Sequence, residues 1–320
     1  MERKKLSNTD LNISPLGIGT VHYGTAIPIA EAELQLDTYL DMGGNLIDTA
    51  HVYGDWASDI PGISEVVIGD WLRKNGKRNK VIISTKGAHP RLDTMHIPRC
   101  APNDIVSDIE ASLKNLKTDY IDLYYLHRDD PSTEIGVILD CLESIAKSGK
   151  IRYYGCSNWS LERIKAAHIY AAKKGYTGFV CNQIMWSLAD INPSGIQDKT
   201  LVIMDSETYD YHKETGLGVM AYSASAGGYF TKRAAGNVPD GFNEKYQNAT
   251  NDRIFDELLK LNDESGISIN RLGLLYVVSR PFTSIALAAF TNLGQLKDSS
   301  AIMAEDYSPD FVERLEKIKG

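Results

Sequence analysis

Asp48, Tyr53, Lys86 and His127 stand at or just beyond the ends of apolar runs: Asn45-Leu46-Ile47-Asp48, Val81-Ile82-Ile83-Ser84-Thr85-Lys86 and Tyr120-Ile121-Asp122-Leu123-Tyr124-Tyr125-Leu126-His127. Tyrosine is a weak acid near neutrality, with a reference pKa of about 10. An adjacent ammonium stabilises its phenolate, and Lys86 is the candidate ammonium for Tyr53. Asp48 is the carboxylate that would hold Lys86 charged and in place. A histidine at the next strand end can donate to, or accept from, the oxygen of a carbonyl substrate. Together these groups handle protons at a carbonyl or alcohol carbon. They supply no electrons, so the chemistry needs a separate hydride carrier.

Several buried strands that end in titratable residues deliver them to one rim when the strands are parallel neighbours, as in a barrel enzyme. Eight candidate strands are legible: Leu16–Gly19, Asn45–Asp48, Val81–Thr85, Ile121–Leu126, Ile151–Cys156, Phe179–Gln183, Gly218–Tyr222 and Ser284–Leu287. Several are apolar in succession, as parallel strands covered on both faces require. Amphipathic stretches alternate with them. Ile29–Met42 has Ala30, Leu34, Leu36, Tyr39 and Leu40 largely on one side, Asn103–Leu116 has Asn103 as its cap, and further helices start at Ser160 and span Asn251–Leu261. Gly43-Gly44, Gly149 and Gly175 stop helices just before the next strand. The expected fold is α/β, a single (β/α)8 TIM barrel over residues 1–320, with an N-terminal β-hairpin around Asn8-Thr9-Asp10 and long βα loops at Gly87–Pro102 and Ser223–Asn248.

The composition, 43% hydrophobic and 24% charged, suits a large globular core, and the net charge of −8 argues against a nucleic-acid partner. The most basic stretch, Arg73–Lys80, reads as a helix end and turn. The first residues contain no apolar leader and no run approaches membrane-spanning length, so a cytoplasmic location with no membrane partner is expected. Cys100, Cys141, Cys156 and Cys181 are scattered and read as structural thiols. His51, His89 and His96 have no metal-ligand spacing, so no metal is expected.

The ordered motifs resemble the aldo-keto reductase superfamily across nearly the whole chain. They run from Leu16-Gly17-Ile18-Gly19-Thr20 through Asp48-Thr49-Ala50-His51-Val52-Tyr53-Gly54, Ser64-Glu65, Ser84-Thr85-Lys86, Asp119–His127, Gly149–Asn158 and Asn182-Gln183 to Ala221-Tyr222-Ser223. The resemblance implies a barrel that binds NAD(P)H in an extended form and interconverts an aldehyde or ketone with its alcohol. By matching position, Tyr53 is the proton donor, Lys86 and Asp48 tune it, and His127 orients the carbonyl. Ser157, Asn158 and Gln183 would hold the nicotinamide carboxamide, with Asp48 beside them, and Tyr222 would stack on the ring. Ser223, Ala224, Ser225 and Gly227 would approach the pyrophosphate, Gly19 and Thr20 the nicotinamide ribose. Phe290, Thr291 and Gln295 would meet the adenosine end.

That last stretch departs from the family pattern: Gln295 stands where an arginine is common, and no arginine occupies the turn. An unpaired 2′-phosphate loses strong charge-assisted bonds, so NAD is expected over NADP unless Lys297 or Lys232 substitutes. Val21, Trp56, Arg128 and Trp186 are expected in the substrate pocket, with Tyr229 and Asp129 near it. Such aromatic and charged groups suit a small polar carbonyl or a sugar derivative. Each of these residues also has an ordinary use, Trp186 as packing under the rim and Arg128 as a partner of Asp129 or Asp130. Two other functions remain: a dinucleotide-binding regulatory subunit with little turnover, and a lyase or isomerase using Lys86 as a Schiff base. Substrate, direction and oligomeric state are not written in these motifs.

Overall fold

The computed structural model describes residues 1–319. The chain enters through an antiparallel hairpin, β1 (Lys4–Lys5) and β2 (Asn12–Ile13), with Lys4 opposite Ile13. Eight parallel strands then close on themselves: β3 (Leu16–Gly19), β4 (Leu46–Asp48), β5 (Ile82–Gly87), β6 (Ile121–Leu126), β7 (Ile151–Ser157), β8 (Phe179–Met185), β9 (Gly218–Tyr222) and β10 (Ser284–Ala288), which pairs back with β3. All eight expected strands are present, within two residues at each end. The outer layer contains α1 (Ile29–Asp41), α2 (Ile63–Asn75), α3 (Pro102–Leu116), α4 (Ile135–Lys147), α5 (Leu161–Lys174), α6 (Ser206–Thr215), α7 (Tyr229–Ala234), α8 (Asp240–Tyr246), α9 (Ala249–Ser265), α10 (Ile269–Val278), α11 (Leu293–Ser300) and α12 (Pro309–Glu316). The result is a (β/α)8 TIM barrel with a hairpin at its N-terminal end.

Side chains of a strand alternate between faces, and here the alternation divides two cores. Leu46, Ile82, Leu123, Tyr125, Cys181, Met220, Ile285 and Leu287 fill the barrel interior. Their neighbours Ile47, Ile83, Tyr124, Ala221 and Ala286 pack outward against the helices. The hairpin closes the interior from below: Leu6, Leu11 and Ile13 are almost fully buried in the same inner cluster. Each such side chain contributes about 1.5–3 kcal/mol of burial.

Local details differ from the sequence expectation in physically simple ways. Helix α3 starts with Pro102 at its first turn and Ala101 as cap, so Asn103 lies inside it; proline already has the helical φ and lacks only an N–H that would be unpaired there. On α1 the buried stripe is Ala32, Gln35, Leu36 and Tyr39, while Leu34 faces out. Residues 223–248 are not a plain loop. Tyr229, Phe230 and Tyr246 bury against the body and fold the segment into α7 and α8. Ser160 does cap α5, accepting from the Arg163 amide.

Candidate active site

The inward parity that fills the barrel also aims the chemistry. Asp48 lies two residues beyond Leu46, Lys86 four beyond Ile82 and His127 two beyond Tyr125. Ser157, Gln183 and Tyr222 lie two beyond Gly155, Cys181 and Met220 on the next strands. Register completes the arrangement, with Asp48 opposite Ser84 and Lys86 opposite Tyr125.

Lys86 is fully buried, and its Nζ donates to Asp48 Oδ2 at 2.7 Å, to Thr49 O at 2.6 Å and to Tyr53 Oη at 3.2 Å. An ammonium has three donors, so all are in use. Burial opposes the charge, but Asp48 outweighs it and holds the Lys86 pKa above the ordinary lysine value. This leaves no free amine for a Schiff base. Asp48 is fixed in turn: its Oδ1 accepts from Ser84 Oγ at 2.8 Å and from Gln183 Nε2 at 2.9 Å. Because Tyr53 Oη accepts from Lys86, its own O–H proton remains available to a second acceptor.

His127 follows β6, with its amide bonded to Gly87 O at 2.8 Å and its ring 5.9 Å from that of Tyr53. Burial, then Arg128, His89 and Lys86, push its pKa well below the usual histidine value, so the imidazole is neutral. A neutral imidazole carries one N–H and can orient a carbonyl oxygen without competing as the acid. His89, which no metal-ligand spacing marks in the sequence, lies with its ring 4.8 Å from that of His127. Its position three residues after Lys86, on the same rim, was the available signal. The loop that carries it is tied down: Asp108 accepts the Ala88 amide at 2.8 Å and pairs with Arg99, which also donates to His89 O. Gly87 permits this turn, since a Cβ there would approach the Asp108 Cβ to 2.7 Å.

The expected substrate residues divide. Trp56 is 50% exposed and meets Tyr53 edge to face at 6.5 Å. Val21 is half-buried in the loop after β3. Arg128 is buried, and its donors are engaged by Thr200, by Asp198 at 3.0 Å and by His127 O; Asp129 pairs instead with Arg163. Trp186 must be corrected. It is 4% exposed and packs among Tyr209, Tyr276 and Phe282, between barrel wall and helices rather than in the mouth. Tyr229 likewise packs against Phe230 and Tyr246.

Beside the tetrad, Ser157 and Asn158 are nearly fully buried. Asn158 Oδ1 accepts from Tyr222 Oη at 2.6 Å and from the Val202 amide, while its Nδ2 donates to Ser157 Oγ. Thr20 turns its hydroxyl to Asp48 O and Ser64, so Gly19 contributes backbone and Thr20 framework. Beyond Tyr222 a groove of ≈ 430 Å³ opens between two segments, its walls including Ser225, Gly227, Lys232, Phe290, Thr291, Gln295 and Asp298; Ala224 is buried behind it. Ser223 (φ 56°), Ala226 (φ 51°), Gly227 (φ 62°) and Gly228 (φ 78°) are left-handed. These residues bend the chain tightly around the groove, and the Ala226 and Gly228 amides close the turn on Ser223 O at 2.7 Å and Ser225 O at 2.8 Å. Gly227 also needs to lack a side chain, because a Cβ would meet the Phe242 ring at 3.0 Å. The groove, lined by an aromatic ring, hydroxyls and a glycine-rich turn next to the tetrad, fits the extended end of a dinucleotide. The floor residues Asn270, Asp298 and Ser299 had no sequence signal before the fold brought them together.

A parallel barrel with a tyrosine, lysine, aspartate and histidine at its C-terminal rim, next to a groove that fits a dinucleotide, belongs to the class of barrel oxidoreductases. The sequence model of the aldo/keto reductase family matches residues 15–319, and the chain belongs to that family. Its coarse activity is therefore NAD(P)-dependent oxidoreduction of carbonyl and alcohol groups. The chain is 30% identical to the uncharacterized oxidoreductase YrpG of Bacillus subtilis over 93% of its length and 90% of the relative's. It is 26% identical to a probable voltage-gated potassium channel subunit beta of Oryza sativa over 99% and 96%. It is 35% identical to the aldo-keto reductase YhdN of Bacillus subtilis over 51% and 49%. Among the described residues no helix is long and apolar enough to cross a membrane.

Proposed function

We propose that the protein reduces an aldehyde or ketone, with Tyr53 giving the proton, and that it prefers NADH to NADPH. The observation that carries the reading is the Lys86–Tyr53 contact: an ammonium bonded to the phenol oxygen stabilises the charge that forms there when the proton leaves. Asp48 keeps that ammonium charged, and neutral His127 donates to the carbonyl oxygen so that it faces Tyr53. The bound nicotinamide supplies the hydride. Ser157, Asn158 and Gln183 would hold its carboxamide, Tyr222 its ring, and the turn from Ser223 to Gly228 its pyrophosphate. Gln183 gives one amide hydrogen to Asp48, which leaves its second N–H and its carbonyl oxygen to offer.

Two features of the groove support NADH. Lys232 is the one cation among its described lining residues, and its Nζ is bonded to Gly227 O. Asp298 adds a carboxylate to the same lining, and Arg271 beside it is paired with it and with Glu305. For the substrate, we propose a small polar carbonyl or a sugar derivative, set against the exposed face of Trp56 and near His89. The similarity to channel beta subunits keeps a regulatory role as the second reading, and the complete tetrad favours turnover.

Titration of NADH and NADPH by fluorescence, followed by turnover with sugars and simple aldehydes, tests each part. NADH should bind more tightly, and Tyr53→Phe should lose about 10²-fold or more in turnover while still binding the dinucleotide. Full activity in that variant refutes the role of Tyr53. Tight binding without turnover on any carbonyl favours the regulatory reading.

A further inference from the structure

At the N-terminal end of the barrel, opposite the catalytic rim, lies an open depression of ≈ 400 Å³ between the hairpin and the turns that enter β9 and β10. Lys4, Lys5 and Lys213 line it with Ser7, Gly216 and Thr283, and no carboxylate is among the described lining residues. Neither Lys5 nor Lys213 enters an ion pair among the described residues, and the Lys4 ammonium is bonded to the carbonyl of Val278. Arg280 lies beside it, with its side chain 5% exposed and stacked on Tyr276. Its Nη2 forms an ion pair with Glu316 Oε1 at 3.3 Å, while its buried Nε has no hydrogen-bond partner.

Such a concentration of positive charge is anomalous in a chain of net charge −8. Buried charges are ordinarily paired. Lys4 has the signature of a charge without a partner: burial and then Arg280 lower its pKa to about 8. The hydroxyls of Ser7 and Thr283 are bonded to backbone carbonyls, so what the depression offers an anion is the positive charge of its lysines, which act on phosphate as point charges. The depression has the volume of a small-molecule site, while the chain's net charge of −8 disfavours a polyanion.

We infer that Lys4, Lys5 and Lys213 form a second binding site, distinct from the dinucleotide groove, for a small soluble phosphate-bearing metabolite. The bound anion supplies the missing counter-charge, so binding near pH 8 takes up a proton at Lys4. Affinity then falls as pH rises further.

The test measures thermal unfolding and calorimetric binding of inorganic phosphate in the presence of saturating NADH, which fills the groove at the other end. Phosphate should raise the melting temperature more than chloride of equal ionic strength. Calorimetry in two buffers of different ionisation heat should show proton uptake at pH 8, lost in Lys4→Met. Lys5→Gln/Lys213→Gln, both exposed positions, should weaken binding about tenfold or more and leave carbonyl turnover unchanged. Equal shifts in phosphate and chloride, undiminished binding in the double variant, or absent proton uptake would each overturn the site. Co-sedimentation with phosphatidylserine vesicles that the double variant loses would also overturn it, by making the ligand a lipid surface.

Discussion

Lys86 and Lys4 are both largely buried lysines, one at each end of the same barrel, and their surroundings push them in opposite directions. Lys86 faces Asp48 at 2.7 Å, and its pKa is raised although no part of it reaches water. Lys4 faces a carbonyl and an arginine, and its pKa falls to about 8. Burial alone therefore does not decide whether an ammonium stays charged; the carboxylate opposite it does. The catalytic end uses a fixed ammonium to stabilise charge on Tyr53. The hairpin end leaves one uncompensated.

Asp48→Asn breaks this comparison most severely. It removes the counter-charge and converts Lys86 into a second Lys4. Removing one partner of a buried pair costs about 3–5 kcal/mol, and turnover should fall by at least about 10²-fold. The sign of the pH dependence follows from the two pKa directions. In the wild type the folded value lies above the unfolded one, so Lys86 contributes its full stability at neutral pH. In the variant it lies below, and stability recovers as pH rises and the amine becomes neutral. The deficit in urea unfolding should thus be smaller at alkaline than at neutral pH; a constant deficit would mean that the pairing is not what holds Lys86.

The ends also differ in how much was legible in the sequence. The alternation of strands with helices and the terminal residues Asp48, Lys86 and His127 were readable because parallel strands are short uninterrupted apolar runs whose ends mark the rim. Trp186 misled because its strand, β8, continues to Met185, and the next residue turns out to the helices. Helices α7 and α8 were hidden because three aromatics, the adjacent Tyr229 and Phe230 and the distant Tyr246, rather than periodicity, fold that segment. His89 and Asp198 needed loops from different strands to be in place first. The lysine depression joins residues 4, 5 and 213, a meeting that only the closed topology creates.

His212 sharpens the comparison with a base that burial keeps neutral. It is fully buried in α6; its Nδ1 donates to Leu217 O at 2.9 Å, and Asn182 Nδ2 donates to its Nε2 at 3.2 Å. Burial lowers its pKa to about 4. The unfolded chain binds a proton near the ordinary histidine value, about 6.5, so stability falls as pH drops from there towards 4. The full effect is about 3 kcal/mol. His212→Gln should start less stable at neutral pH yet show a flatter decline across that window. Parallel wild-type and variant curves would assign the acid sensitivity to other groups.

The smallest effect, and the one that separates the two lysines most cleanly, is Lys4→Met. Below pH 8 the folded protein has a charged Lys4 that burial disfavours, while the unfolded chain has the same charge in water. Between about 8 and the ordinary lysine value of 10.5 only the unfolded chain remains protonated. Wild-type stability therefore rises with pH across that interval. Methionine fills similar volume, loses the bond to Val278 and removes the charge, so the variant should be more stable by about 1 kcal/mol at neutral pH. It should also lack the alkaline rise. Denaturant titrations on both sides of pH 8 measure this directly, and a destabilised Lys4→Met whose curve keeps the wild-type slope would show that Lys4 already has a counter-charge.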